Sequence, residues 1–125
     1  MFPLLRKARV LMLDDDASMQ KLVSLMLKRA GYRVEVFTSG NDAIAAIEKN
    51  DYKAILVDLM MPLEGGATVI RHLRETSPEL LRRVLVVTGA PDTVTRAVAG
   101  EVAGVVRKPF DASELVASVD RVAGS

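Results

Sequence analysis

The sequence predicts an α/β fold: a doubly wound, five-stranded parallel sheet with five helices. Three observations predict it. Five short runs of strand character recur along the 125 residues. Between them lie segments whose apolar residues return every three or four positions, as one face of a helix requires. Glycine, proline, asparagine, aspartate and serine punctuate the junctions. Strands as apolar as these are buried on both faces, which implies a parallel sheet between two layers of helix.

The first run is RVLML, with Val10 to Leu13 as its core. Met19, Leu22, Val23, Met26, Leu27 and Ala30 follow at helical spacing, and Gly31 stops that helix. RVEVF alternates as a half-buried edge strand does. Gly40 and Asn41 precede Ala43, Ile44 and Ile47, a short second helix. AILVD is the next buried run, and Pro62, Gly65 and Gly66 mark the loop after it. Val69, Ile70 and Leu73 give a third helix, closed by Ser77 and Pro78. VLVVT is the fourth strand. Val94, Ala97 and Val98 mark a fourth helix, shorter and less hydrophobic than the first. GVVRK is the fifth strand, and Asp111 caps a last helix carrying Leu115, Val116, Val119 and Val122. No linker, repeat or low-complexity tract interrupts the pattern, so residues 1–125 read as a single domain.

Composition narrows the functions open to such a chain. Half of the residues are hydrophobic and 26% are charged, as in soluble globular proteins. Seventeen basic residues against sixteen acidic ones give no electrostatic reason to expect nucleic acid or an anionic membrane as partner. The absence of cysteine excludes disulfides and thiolate metal sites, and a lone histidine, His72, excludes a His-pair site. No apolar run approaches the ~20 residues that span a bilayer. The N-terminal MFPLLRKARV is too short and too charged for a signal peptide, so a cytoplasmic location is expected.

The stretch VLMLDDDAS carries the first chemical signal. Each of Asp14, Asp15 and Asp16 disfavours ionisation of its neighbours, which costs free energy unless a cation or a helix N-terminus offsets it. Ligands of doubly wound folds sit at the C-terminal ends of the strands. There the first strand places Asp14 and Asp15, and the third places Asp58. The fourth places Thr88 followed by Gly89, and the fifth Lys108 followed by Pro109. Clustered carboxylates without His or Cys favour a hard cation, Mg²⁺ first among them. An Asp carboxylate can act as a nucleophile toward phosphorus. The Lys108 ammonium, the Thr88 hydroxyl and nearby backbone N–H groups are suited to the charge on phosphoryl oxygens, and Gly89 leaves space for those oxygens. Asp58, from the central strand, is the best nucleophile, and Asp14 and Asp15 form a pair suited to metal. Asp16 is left as a helix cap or a spare acid.

The motifs LMLDDD, ILVDLMMP, VVTG and VVRKPF, in this order and spacing, make the chain resemble a response regulator receiver domain, the phosphoacceptor half of two-component signalling. The resemblance spans nearly the whole chain and implies a flavodoxin-like strand order of 2-1-3-4-5. It implies that Asp58 is the phosphorylation site and that Asp15, Asp58 and the backbone carbonyl of Met60 bind Mg²⁺, with Asp14 acting through water. It also implies that Lys108 pairs with the phosphoryl group, that Thr88 donates its hydroxyl to it, and that the Lys108–Pro109 peptide is cis.

The chain departs from the family's pattern at three positions. Members usually carry Tyr or Phe three residues before the lysine, a ring that swings inward as the threonine moves; here that residue is Val105, β-branched and without a ring. Either Val105 merely fills the fifth strand, or the switch runs without a ring, through Thr88 and the fourth helix with movement of the Gly89–Asp92 loop, or through another surface. Two positions that face the phosphoryl group in this family are Met60 and Ala90 here, neither able to hydrogen-bond an attacking water through its side chain, so a long-lived phosphoryl group is expected. His72, flanked by Arg71 and Arg74, reads as a residue of a solvated helix face rather than a phosphorelay histidine. The short basic clusters Arg6–Arg9 and Arg82–Arg83 belong to strand starts, on the end of the sheet away from the acids.

The resulting expectation is a phosphorylation-controlled signalling module, not a conventional enzyme, that takes phosphate from a histidine kinase or phosphotransfer protein and changes its affinity for an output partner. A face made by the fourth helix, fifth strand and fifth helix, offering Thr93, Arg96, Arg107, Ser118 and Arg121, is expected to serve output, with dimerisation on phosphorylation through the same face. No output domain is expected after the last helix, and a stand-alone regulator and a domain of a longer regulator or hybrid kinase both fit. Two alternatives compete. One is a small Mg²⁺-dependent phosphatase of the haloacid dehalogenase type, which needs a second acid where Met60 stands. The other is a scaffold that keeps the fold without being phosphorylated.

Overall fold

Alternation along the strands divides the core in two, and this places everything else. The structure, a computed structural model, describes residues 8–124. Arg6 and Lys7 of the first basic cluster, and most of the N-terminal segment read for a signal peptide, lie outside them. The strands are β1 (Arg9–Leu13), β2 (Arg33–Phe37), β3 (Ala54–Val57), β4 (Val84–Thr88) and β5 (Gly104–Arg107). The helices are α1 (Ala17–Arg29), α2 (Gly40–Lys49), α3 (Gly66–Thr76), α4 (Asp92–Ala99) and α5 (Ala112–Ala123). The sheet is parallel throughout, in the order β2-β1-β3-β4-β5. This is the expected doubly wound fold.

Successive strand residues point to opposite faces. Leu11, Leu13, Ile55, Val57, Val84 and Val86 therefore pack with Ala43 and Ile47 of α2 and Val69, Ile70 and Leu73 of α3. Val10, Met12, Leu56, Leu85, Val87 and Val106 pack on the other face with Val23 and Leu27 of α1 and Leu115 and Val119 of α5. Most of these side chains are fully buried, and each contributes roughly 1.5–3 kcal/mol on removal from water. β2 is the edge expected from its alternation, although Val36 is left exposed.

The expected signals end and start most helices. The Asp16 carboxylate accepts from the N–H groups of Ser18 and Met19 at 2.9 and 3.2 Å, so Asp16 is a cap. Asp111 caps α5 in the same way, from Glu114 N–H at 2.8 Å. Gly31 ends α1 with φ +97°, a left-handed conformation that glycine adopts without a Cβ penalty, and Tyr32 N–H closes the turn on the Leu27 carbonyl. One segment differs from the sequence reading. Pro78 ends α3 as expected, but Pro78–Arg83 then forms a 3₁₀ helix, a sixth helical segment. Proline is favoured at the first position of a new helix because its missing N–H has no partner there anyway, and Leu81 anchors the turn in the core beneath α3.

The proposed output face is partly corrected. Thr93, Arg96 and Arg121 are exposed, but Ser118 is buried on the inner side of α5 and Arg107 is half-buried and engaged. His72 lies on α3 against Glu48 of α2, at 3.2 Å, on the helix layer rather than at the strand ends.

Candidate functional site

Four parallel strands end at one rim, and the ladder itself sets the height of each side chain there. Asp58 N–H donates to the Leu13 carbonyl, Asp14 N–H to the Phe37 carbonyl and Lys108 N–H to the Thr88 carbonyl, so β1, β3, β4 and β5 deliver their last residues together. The first residue past β1, Asp14, is 2% exposed, the first past β3, Asp58, is 5% exposed, and Thr88 is fully buried. The Lys108 side chain retains 18% of its exposure.

The Lys108 ammonium donates to Asp14 Oδ2 at 2.9 Å and to Asp58 Oδ2 at 3.1 Å. The other Asp58 oxygen, Oδ1, accepts from the Thr88 hydroxyl at 2.7 Å and from Met60 N–H at 2.9 Å. Asp14 Oδ1 accepts from Asp16 N–H at 3.0 Å, and its backbone carbonyl from the Gln20 amide at 2.6 Å. Burial works to lower the pKa of the Lys108 ammonium, but its hydrogen bonds to Asp14 and Asp58 outweigh this and hold it above the ordinary lysine value. Two buried carboxylates thus share one ammonium, leaving an excess of negative charge in a poorly solvated place.

The structure therefore brings together Asp14, Asp58, Thr88 and Lys108. Asp15 is exposed and lines a surface cleft of about 310 Å³ with Thr38, Ser39 and residues 61–64. Among the described residues no three acidic or imidazole side chains converge closely enough to form a metal site unaided. The Lys108 ammonium stands between Asp14 and Asp58 instead. Met60 is 58% exposed, whereas Ala90 is buried. The Lys108–Pro109 peptide is cis.

Some supporting residues were not singled out in the sequence as parts of the site. Gly66 N–H donates to the Asp58 carbonyl at 2.9 Å, and a Cβ on Gly66 would stand 2.6 Å from that oxygen. The glycine pair at Gly65 and Gly66 signals a loop, but not that α3 must start against the backbone of Asp58. Gln20 is a second: one helical turn past the capping Asp16, it has a spacing that could have flagged it. Arg107 is a third: expected on the output face, it donates to the Ala90 carbonyl at 2.8 Å.

Comparison with known proteins agrees with this geometry. A family model described as the response regulator receiver domain matches residues 10–120. The chain belongs to that family. Over 112 residues this receiver domain is 38% identical to the response regulator MprA of a Mycobacterium species (strain KMS), covering 87% of the chain and 47% of the relative. It is 35% identical over 114 residues to the transcriptional regulatory protein PcoR of Escherichia coli, covering 89% and 49%. The chain thus spans about half the length of the curated relatives it matches. Among solved structures it resembles the receiver domain of the sensor histidine kinase PA1611 from Pseudomonas aeruginosa, with TM-score 0.85, 25% identity, and coverage of 96% and 100%. That protein carries a magnesium ion coordinated in its active-site cleft. Among the described residues of the receiver domain no helix is long and apolar enough to cross a membrane.

Proposed function

We propose that residues 1–125 act as one phosphoacceptor unit in the cytoplasm, taking a phosphoryl group onto Asp58 from a histidine kinase or phosphotransfer protein. One observation carries the reading. The buried Asp58 carboxylate has one oxygen held by the Thr88 hydroxyl and Met60 N–H, and the other by the Lys108 ammonium. Such a carboxylate is oriented and surrounded by donors suited to a phosphoryl group.

In the transfer, an Asp58 oxygen attacks phosphorus and the P–N bond of the phosphohistidine breaks. The imidazole leaves with the electron pair and takes up a proton. Lys108 neutralises charge on the transferred oxygens, and Thr88 turns its hydroxyl proton toward one of them. The donor set fits Mg²⁺, being all oxygen and over-charged relative to its single ammonium. Asp14, Asp15, Asp58 and the Met60 carbonyl would hold the ion. Bound there, it supplies the charge neutralisation that one lysine does not. Phosphorylation then changes affinity for an output partner, with dimerisation through the α4–β5–α5 face as one route.

The test is intact mass after incubation with acetyl phosphate and Mg²⁺. A gain of one phosphoryl group, abolished by a chelator, is expected; an unchanged mass overturns the reading.

A further inference from the structure

A continuous path of hydrogen bonds leaves Asp58 and ends on the surface. The Thr88 hydroxyl donates to Asp58 Oδ1, and Ala90 N–H donates to the Thr88 oxygen at 3.2 Å. The carbonyl of Ala90 accepts from Arg107 Nη1 at 2.8 Å. The other terminal nitrogen of the same guanidinium donates to Thr95 Oγ1 at 3.2 Å and to the Asp92 carboxylate. Thr95 is buried, and its hydroxyl donates in turn to the Asp92 carbonyl at 3.1 Å. Arg107 stands opposite Thr88 in the β4–β5 register, so the guanidinium spans from a rigid ladder to the loop and the first turn of α4.

That first turn has little else to hold it. α4 begins without a side-chain cap and has Pro91 at the capping position. Its inward-facing apolar side chain, Val98, is only partly buried, and Thr95 is the one fully buried residue of the helix. Val105 and Val106, the strand residues before Arg107, have no polar side-chain atom to offer the loop.

We infer that Arg107 is a positioning residue that couples the state of Asp58 to α4. The inference rests on Asp58 being the phosphoacceptor. A hydroxyl has a single proton to donate. When phosphoryl oxygens appear beside Asp58, the Thr88 proton leaves Asp58 Oδ1 for an acceptor that bears more charge. The Thr88 oxygen moves with it, and Ala90 N–H follows its acceptor. The Ala90 carbonyl, on the other side of the same residue, is then drawn from the guanidinium. Arg107 lets go of the loop, and the first turn of α4 loosens. The Arg107 guanidinium bonds to Ala90, Asp92 and Thr95, not to the Asp58 carboxylate or the Lys108 ammonium's partners, so its role lies in relaying the change rather than in accepting phosphate.

Hydrogen–deuterium exchange with and without acetyl phosphate and Mg²⁺ tests this, with intact mass read on the same samples. The comparison is wild type against Arg107→Met. In wild type, exchange across residues 90–99 is expected to rise when the mass gain appears. In Arg107→Met the mass gain is expected to persist, while residues 90–99 exchange fast from the start and lose their response to the donor. A variant that keeps the full wild-type response overturns the coupling. The sheet amides of β1 and β3 report folding. Should Arg107→Met lose their protection, Asp92→Asn with Thr95→Val leaves β5 intact and is expected to diminish the response; an undiminished response there also overturns it. A wild type without mass gain overturns the phosphoacceptor reading itself, and the coupling with it.

Discussion

The two ends of the sheet are both polar, but they are polar in different ways. At the end where the strands begin, Arg9 pairs with Glu35 at 2.7 Å and donates to Asn50 at 3.0 Å. The Tyr52 hydroxyl donates to the other Glu35 oxygen at 2.6 Å, and the Arg9 guanidinium lies over the Tyr52 ring. Arg83 fastens the loop before β3, through Asp51 at 2.7 Å and the Tyr52 carbonyl at 2.8 Å. Every acid there has at least one cation beside it, and the paired side chains remain about a third exposed or more. Burial pushes Tyr52 up to about 12, with Glu35 adding to it. Burial also works to raise Glu35, but hydrogen bonds from Tyr52 and Arg9 prevail and hold it below its ordinary value. At the other end, two almost fully buried carboxylates share one ammonium. A matched, half-exposed network closes the fold. An unmatched, buried one leaves uncompensated charge, as the proposed cation and phosphoryl transfer would require.

The sharpest way to break this comparison is Asp58→Asn. It is expected to abolish phosphoryl uptake completely by intact mass, yet to melt no lower than wild type. It removes one of two like charges and leaves Lys108 matched to Asp14, which turns the reactive end into a copy of the structural one.

Lys108→Met acts in the opposite direction. It leaves Asp14 and Asp58 without their cation, and is expected to cost about 3 kcal/mol in urea unfolding at neutral pH, the order found when one partner of a buried pair is lost. In wild type the lysine makes a pH-dependent contribution. Its pKa is raised on folding, so its contribution is complete below the ordinary value of 10.5 and disappears only as pH rises through the higher folded value.

Met60→Asn leaves both networks in place and is expected to shorten the lifetime of the phosphoryl group, read as decay of radiolabelled phosphate. Its amide can orient a water, which the thioether cannot. An unchanged or slower decay contradicts this.

The smallest effect is expected at the structural end. Tyr52→Phe removes one hydrogen bond to Glu35 and should cost about 1 kcal/mol, with phosphoryl uptake unchanged. Glu35 has a lowered pKa, so its contribution is complete above its ordinary value of 4.5 and is lost as pH falls through the lower folded value. The Tyr52→Phe penalty should shrink in acid accordingly.

Much of this contrast was legible in the sequence, but unevenly. Asp14, Asp58, Thr88 and Lys108 stood out because parallel strands carry their final residues to one rim. Glu35 and Tyr52 did not, and Arg9 read only as part of a basic cluster, since their pairing joins positions far apart in the chain. Arg83 read only as part of a basic cluster at a strand start and is in fact a staple to Asp51. Ser118 read as exposed, but it shares the buried face of α5 with Leu115 and Val119. The 3₁₀ helix after α3 escaped because proline signals the end of one helix and the start of another with the same residue.

By itself, then, the sequence determined the order of strands and helices, the two-sided core and which acids, hydroxyl and amine share a rim. Periodicity and turn chemistry act over a few residues, and a parallel sheet converts that local order into a common edge. Only the tertiary structure decided who is bonded to whom: Lys108 divided between Asp14 and Asp58, Thr88 committed to Asp58, and Arg107 reaching from β5 to Ala90, Asp92 and Thr95. Hydrogen bonds are won or lost over fractions of an ångström. No spacing along the chain encodes distance that finely.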